Sequence, residues 1–279
     1  LGGRGNELTN PFLSTENVGD PFAPIPVDDF QDVPVPSERS IIVGGSSNTL
    51  QSSGNSVVVG GNSNRLWLSP TSVLAGGSQN RILSSDKSFI GGGQNNYIQS
   101  QSLSVIAGGE QNRIGQLNDP NTKPLSGFGS DHRNFVGGGY SNKIHESQNG
   151  VIVGGYLNTV TSSFGSSILN GNLNIVDSSS YSIIGGGYSN ELELSYYSAI
   201  VAGYDNNSFS SSNSLIGAGN VNKILNSPNG FIGGGSENEI SKSSESAIVG
   251  GKNNDIGEGS LSFIGGGEGN TITDSVNSF

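Results

Sequence analysis

Few side chains in this 279-residue chain could carry chemistry, and each can be checked against what the reaction would need. The histidines are His132 and His145, and neither belongs to a Ser/His/Asp or metal-ligand spacing. Both are expected at the surface. Glu191 and Glu193 could form the paired carboxylates of glycoside hydrolysis, but acids two apart on a polar strand usually just solubilise it. The many Gly-Gly pairs resemble phosphate-binding loops, yet they recur at every turn and lead into no helix or Lys-Ser/Thr. The Asp-containing glycine nonapeptide of calcium-binding rolls is missing as well. The expectation is no catalytic residue, no cofactor, no metal ligand and no enzyme.

What recurs by rule is asparagine. It falls every sixteen residues at Asn48, Asn64, Asn80, Asn96 and Asn112. After one period lengthened by fourteen residues it resumes at Asn142, Asn158, Asn174, Asn190, Asn206, Asn222, Asn238, Asn254 and Asn270. Numbering each unit from its asparagine, glycine stands at −3 in all fourteen, and Ile, Val or Leu at −6 in all fourteen. An aliphatic residue stands at +2 in thirteen, with Ser208 the exception. Serine occupies −8 in eleven units and +5 in eleven. A small polar residue followed two positions later by an aliphatic one is a strand signal, and Gly, Ser and Asn between them form turns.

A unit this short buries no core alone and must stack on its neighbours. The pattern predicts an all-β β-solenoid, a two-stranded β-roll of 16-residue coils with about fourteen full rungs and split half-coils at both ends. Its aliphatics at −6 and +2 face each other inside. The asparagines form a structural ladder in one turn, each amide bonding its own and adjacent coils. At about 4.8 Å per coil, fourteen coils would make a rod of about 60 to 70 Å. Asn206-Asn207-Ser208 is a glycosylation sequon, but its ladder position predicts a buried, unoccupied asparagine.

Outward positions differ between the two strands. Positions −7 and −5 are apolar nearly throughout, with Val57, Val73, Phe89, Val105, Phe135, Val151, Ile183, Leu215, Phe231 and Phe263 at −7. Each Phe at −7 has Gly at −5, a compensation of volume that a flat sheet-to-sheet contact requires. Positions +1 and +3 mix Thr, Arg, Trp, Glu and Lys, as a wet face does. The apolar strip predicts self-association closed as a dimer or trimer.

The organisation expected is a partial N-terminal coil (1–8), a Pro-rich acidic arm (9–39), rungs over 40–114, a loop insertion (115–129), and rungs over 130–279 ending in a partial coil. The arm is expected either as a disordered loop or as a strap along a neighbouring copy, anchored by Phe12, Phe22, Ile25 and Phe30. Leu1, Gly2 and Gly3 fit positions −5 to −3 of a coil, and Ser278 and Phe279 positions −8 and −7 of another. These residues form the expected axial junction, through which copies stack head to tail.

A formal charge of −11 argues against nucleic acid as a partner, and no apolar run is long enough to span a membrane. Cysteine and methionine are absent, which suits a material exposed outside the cell, at a cell or virion surface.

At Asn55-Ser56-Val57-Val58-Val59-Gly60 and Ser104-Val105-Ile106-Ala107-Gly108 the repeat resembles the head domains of trimeric autotransporter adhesins, and trimeric fibre proteins use similar repeats. That resemblance implies three chains packing apolar strands together, and attachment to a surface glycan or a host or matrix ligand. These units are longer, carry a doubled glycine and lack a coiled-coil stalk. A weaker resemblance, at Asn158-Thr159-Val160, is to grass ice-binding β-rolls. The expected function is an extracellular structural protein self-assembling into a fibre, filament or appendage. An adhesin or receptor-binding head and an ice-binding protein are the alternatives.

Overall fold

Each rung carries two short strands, separated by turns in which glycine and left-handed backbone gather. In a computed structural model, which describes residues 7–9, 39–115 and 132–278, positions −7 and −6 form the first strand (Ile41–Ile42 in the Asn48 rung). Positions +1 to +3 form the second (Thr49–Gln51). The described residues form a parallel β-solenoid without helices. Strand pairing joins each residue to the one at the same position in the next rung, such as Leu50 to Leu66 and Ile152 to Ile168.

The chain divides into two compact units, one comprising Leu1–Gln111 with Asn118–Asp131, the other Asn112–Leu117 with His132–Phe279. In the first unit, Glu7–Thr9 pairs in parallel with Thr49–Gln51, placing Leu8 opposite Leu50. The register is the one that treats Leu8 as position +2 of an earlier rung. Long strands follow through Tyr97–Gln99, and short strands run from Ile41–Ile42 to Val105–Ile106. In the second unit, long strands run from Arg113–Gly115 to Thr271–Thr273 and short ones from Phe135–Val136 to Phe263–Ile264. The arm and loop insertion fall almost entirely outside the described residues.

In both units the core is the two aliphatic columns. Leu50, Val58, Leu66 and Leu74 in the first unit and Ile144, Ile152, Val160 and Ile168 in the second have no exposure. Burial alternates along most strands, so the −6 and +2 side chains point inward and their neighbours outward, although Leu83 and Gln99 at +3 are also buried.

Tight turns return the chain within sixteen residues by using left-handed backbone at −1, +4 and +7, in non-glycine residues except at Gly165 and Gly269 among the described residues. Ser63 (φ 56°), Leu68 (φ 49°) and Thr71 (φ 58°) are one such set. Parallel stacking offsets the strain, since these amides donate to the rung before: Ser63 N to Ser46 O at 2.9 Å, Leu68 N to Gln51 O at 3.1 Å and Thr71 N to Gly54 O at 2.9 Å. Glycine at −3 is required outright. Gly235 has φ +97°, and a Cβ there would strike the carbonyl oxygen of Gly251. The preceding glycine is different: around Gly234 the nearest atom to an added Cβ is 3.6 Å away, and Ala202 and Ala218 stand at that position in other rungs.

Candidate functional site

Three polar ladders hold the turns, one of asparagine and two of serine. Asn190 is typical. Its Nδ2 donates to Gly186 O in its own rung (3.0 Å), to Gly203 O in the next (2.9 Å) and to Asn174 Oδ1 in the previous one (3.1 Å). Its Oδ1 accepts from the Asn206 backbone N at 3.1 Å. Thirteen of the fourteen ladder asparagines have no exposure; Asn270, in the last rung, is exposed but still bonds Asn254. A buried amide with every group bonded welds rung to rung, since leaving any of them unpaired costs about 1–3 kcal/mol.

The serines at +5 and −8 do the same from the other turn, a role that composition did not reveal. Ser69 Oγ donates to Trp67 O (2.8 Å) and accepts from Ser85 N (3.0 Å). Ser72 Oγ donates to Ser85 O (3.0 Å) and accepts from Ser88 N (3.0 Å). Ser208, the exception in the aliphatic column, is buried and bonds the hydroxyls of Ser214 (2.8 Å) and Ser195 (3.2 Å).

Residues singled out for chemistry are scattered. His145 lies on a long strand with Nδ1 3.0 Å from Gly115 O and Nε2 3.4 Å from Glu146. His132 corrects the surface expectation: only 7 % of it is exposed, and its carbonyl accepts from Asn149 N at 2.7 Å. The backbone there continues the +6 rung ladder, which draws the ring inside. Glu191 accepts from Asn207 Nδ2 at 3.0 Å. Burial pushes its carboxyl up from 4.5, aided by the charges of Glu193, Asp177 and Asp205, while the Asn207 bond opposes the rise. Asn206 of the sequon is fully buried and its amide donates to Gly219 O. No group of three or more His, Cys, Asp or Glu suited to a metal occurs among the described residues.

The apolar strip is present as a surface. At −7, Phe89, Phe135, Ile183 and Phe263 are exposed, and Val57, Val73, Val105, Val151, Leu215 and Phe231 are half-buried. At −5, Val153, Leu169, Val201 and Val249 are exposed. The paired Phe and Gly fit together within one rung: an added Cβ at Gly233 would lie 3.4 Å from Phe231 Cε1, and at Gly137 3.3 Å from Phe135 Cε1. Each ring leans over its own glycine, so bulk stays level from rung to rung. Of the axial-junction residues, Leu1, Gly2, Gly3 and Phe279 lie outside the described residues, and Ser278 O accepts from Phe263 N at 2.8 Å.

Tyrosine stacks were not foreseen. Tyr140 and Tyr156 stack at 5.1 Å, Tyr188 and Tyr204 at 5.3 Å, both pairs at −2, and Tyr181 and Tyr197 at 5.2 Å at +7. The signal was available, because each pair is sixteen residues apart.

No family model matches the chain, and no curated protein is similar to it. Fold and ladders alone define its class, a β-solenoid repeat protein of the β-roll type.

Proposed function

We propose that this chain is an extracellular structural protein that assembles with copies of itself through the apolar face of its short strands. The observation that carries the reading is the strip in the second unit. Nine successive rungs from Phe135 to Phe263 place no charged residue at −7 or −5. At about 4.8 Å per rung the strip is about 40 Å long, more contiguous apolar surface than a monomer normally leaves in water. Its level profile, produced by rings lying over glycines, suits a second flat sheet, and the surface of this kind that the chain itself supplies is the same strip on another copy.

Side chains deeper in the rung hold the coil together, so the strip is free to serve assembly. The test is Phe231→Asp, with mass in solution measured by analytical ultracentrifugation. The wild type is expected as a dimer or larger species and the variant as a smaller one, with unchanged β-sheet circular dichroism. A monomeric wild type, or a variant of unchanged mass, would sink the reading. Fibre growth through the chain ends and attachment to a glycan or matrix ligand are extensions of this proposal, suggested by the resemblance to trimeric fibre heads.

A further inference from the structure

The long-strand sheet, on the other side of each coil, gathers charges of like sign into separate patches. In the first unit, Arg65 and Arg81 are exposed at +1 in adjacent, registered strands. Arg65 lies over the Trp67 ring at 4.9 Å, and neither arginine has an ion-pair partner among the described residues. No carboxylate occupies +1 or +3 from Thr49 to Gln99. In the second unit Arg113 and Lys143 are again registered cations at +1, and beyond them the sign reverses. Asp177 and Glu193 are registered neighbours at +3, and Glu191 shares a strand with Glu193 on the same face. Lys223 is the only cation at +1 or +3 between Asp177 and Asp255.

Like charges directly opposite on adjacent strands repel. Both arrangements are therefore unfavourable in an isolated chain; at Glu191 burial is the larger cause of the raised carboxyl, and the charge of Glu193 adds to it. An oppositely charged surface relieves each, and the chain carries both. We infer that the long-strand sheet is a second self-association surface, on which the Arg65/Trp67/Arg81 face of one copy docks against the Asp177/Glu191/Glu193 face of another. Because the two patches differ, they can meet reciprocally in a closed dimer or head to tail in a ring or an open array. Individual exposed ion pairs are weak, about 0–1 kcal/mol, so this surface sets offset and orientation while contributing little affinity. It uses the opposite sheet from the apolar strip and does not depend on that strip associating.

Two reversal variants test the docking: Arg65→Glu with Arg81→Glu in one chain, and Glu191→Lys with Glu193→Lys in another. Masses of the full chains are followed by sedimentation from about 0.05 M to about 1 M salt, where the screening length falls to about 3 Å. The wild type is expected to form a larger species at low salt that disappears at high salt. Each variant alone should lose that species, and an equal mixture should regain it, because the reversed patches again match. A wild-type mass independent of salt, either variant alone retaining the salt-sensitive species, or a mixture that fails to regain it would each overturn the inference. Any species that persists at high salt belongs to the apolar strip and is judged by Phe231→Asp.

Discussion

At the scale of single residues, the two glycines of each Gly-Gly pair have opposite importance. Gly235 combines a positive φ with the backbone of the next rung pressed where a Cβ would go; Gly234 has room. Gly235→Ala is expected to lower unfolding stability by about 3 kcal/mol, and Gly234→Ala to change it by less than about 0.5 kcal/mol, in urea denaturation. Glu191 gives a pH-dependent case. Its folded-state pKa is raised, so its favourable contribution is complete in acid, below 4.5, and is lost as pH rises through the raised value. Glu191→Gln should therefore be more stable than the wild type at pH 7, by less than about 1 kcal/mol because the group is half-exposed. Melting temperatures at pH 7 and at about pH 4 should show the gap closing in acid.

At the scale of the rung, the sixteen-residue alignment located the strands, the inward columns and the ladder asparagines from residue type alone. Parallel stacking is the reason: position n always lies beside n + 16, so one period in the sequence is one contact in space. Ser208 shows how far that logic reaches. Its registered neighbours are Leu192 and Ile224, and its hydroxyl bonds two serines that hold other partners. Ser208→Val should add buried apolar area and raise stability by about 1 kcal/mol, checked by thermal unfolding. A fall instead would mean that the hydroxyl cluster holds this rung. Turn geometry was less legible. Left-handed backbone falls on Ser, Leu, Thr and Val221 as readily as on Asn, because the inter-rung hydrogen bonds impose it whatever the side chain prefers.

At the scale of the molecule, each unit behaves as a stack in which a rung touches only its neighbours. Outward residues away from the core columns, the polar ladders and the −3 glycines can then change without unfolding the coil, which is why Phe231→Asp is expected to alter mass and leave circular dichroism alone. In each unit one sheet presents a flat apolar face and the other a polar, charged one, and assembly through both would give order in two directions.

By itself the sequence determined the period, the two aliphatic columns, the glycine at −3 and the apolar character of the short-strand face, because these follow from repetition and side-chain type. Tertiary structure alone decided what the polar residues other than the ladder asparagines do. The serines became buried clamps, His132 turned inward, each Phe lay over its own glycine, and the tyrosines stacked into short columns. The physical reason is direction. Spacing says which residues are neighbours along the stack, but whether a turn side chain points into the coil or out to water depends on backbone angles that the stacked rungs impose together.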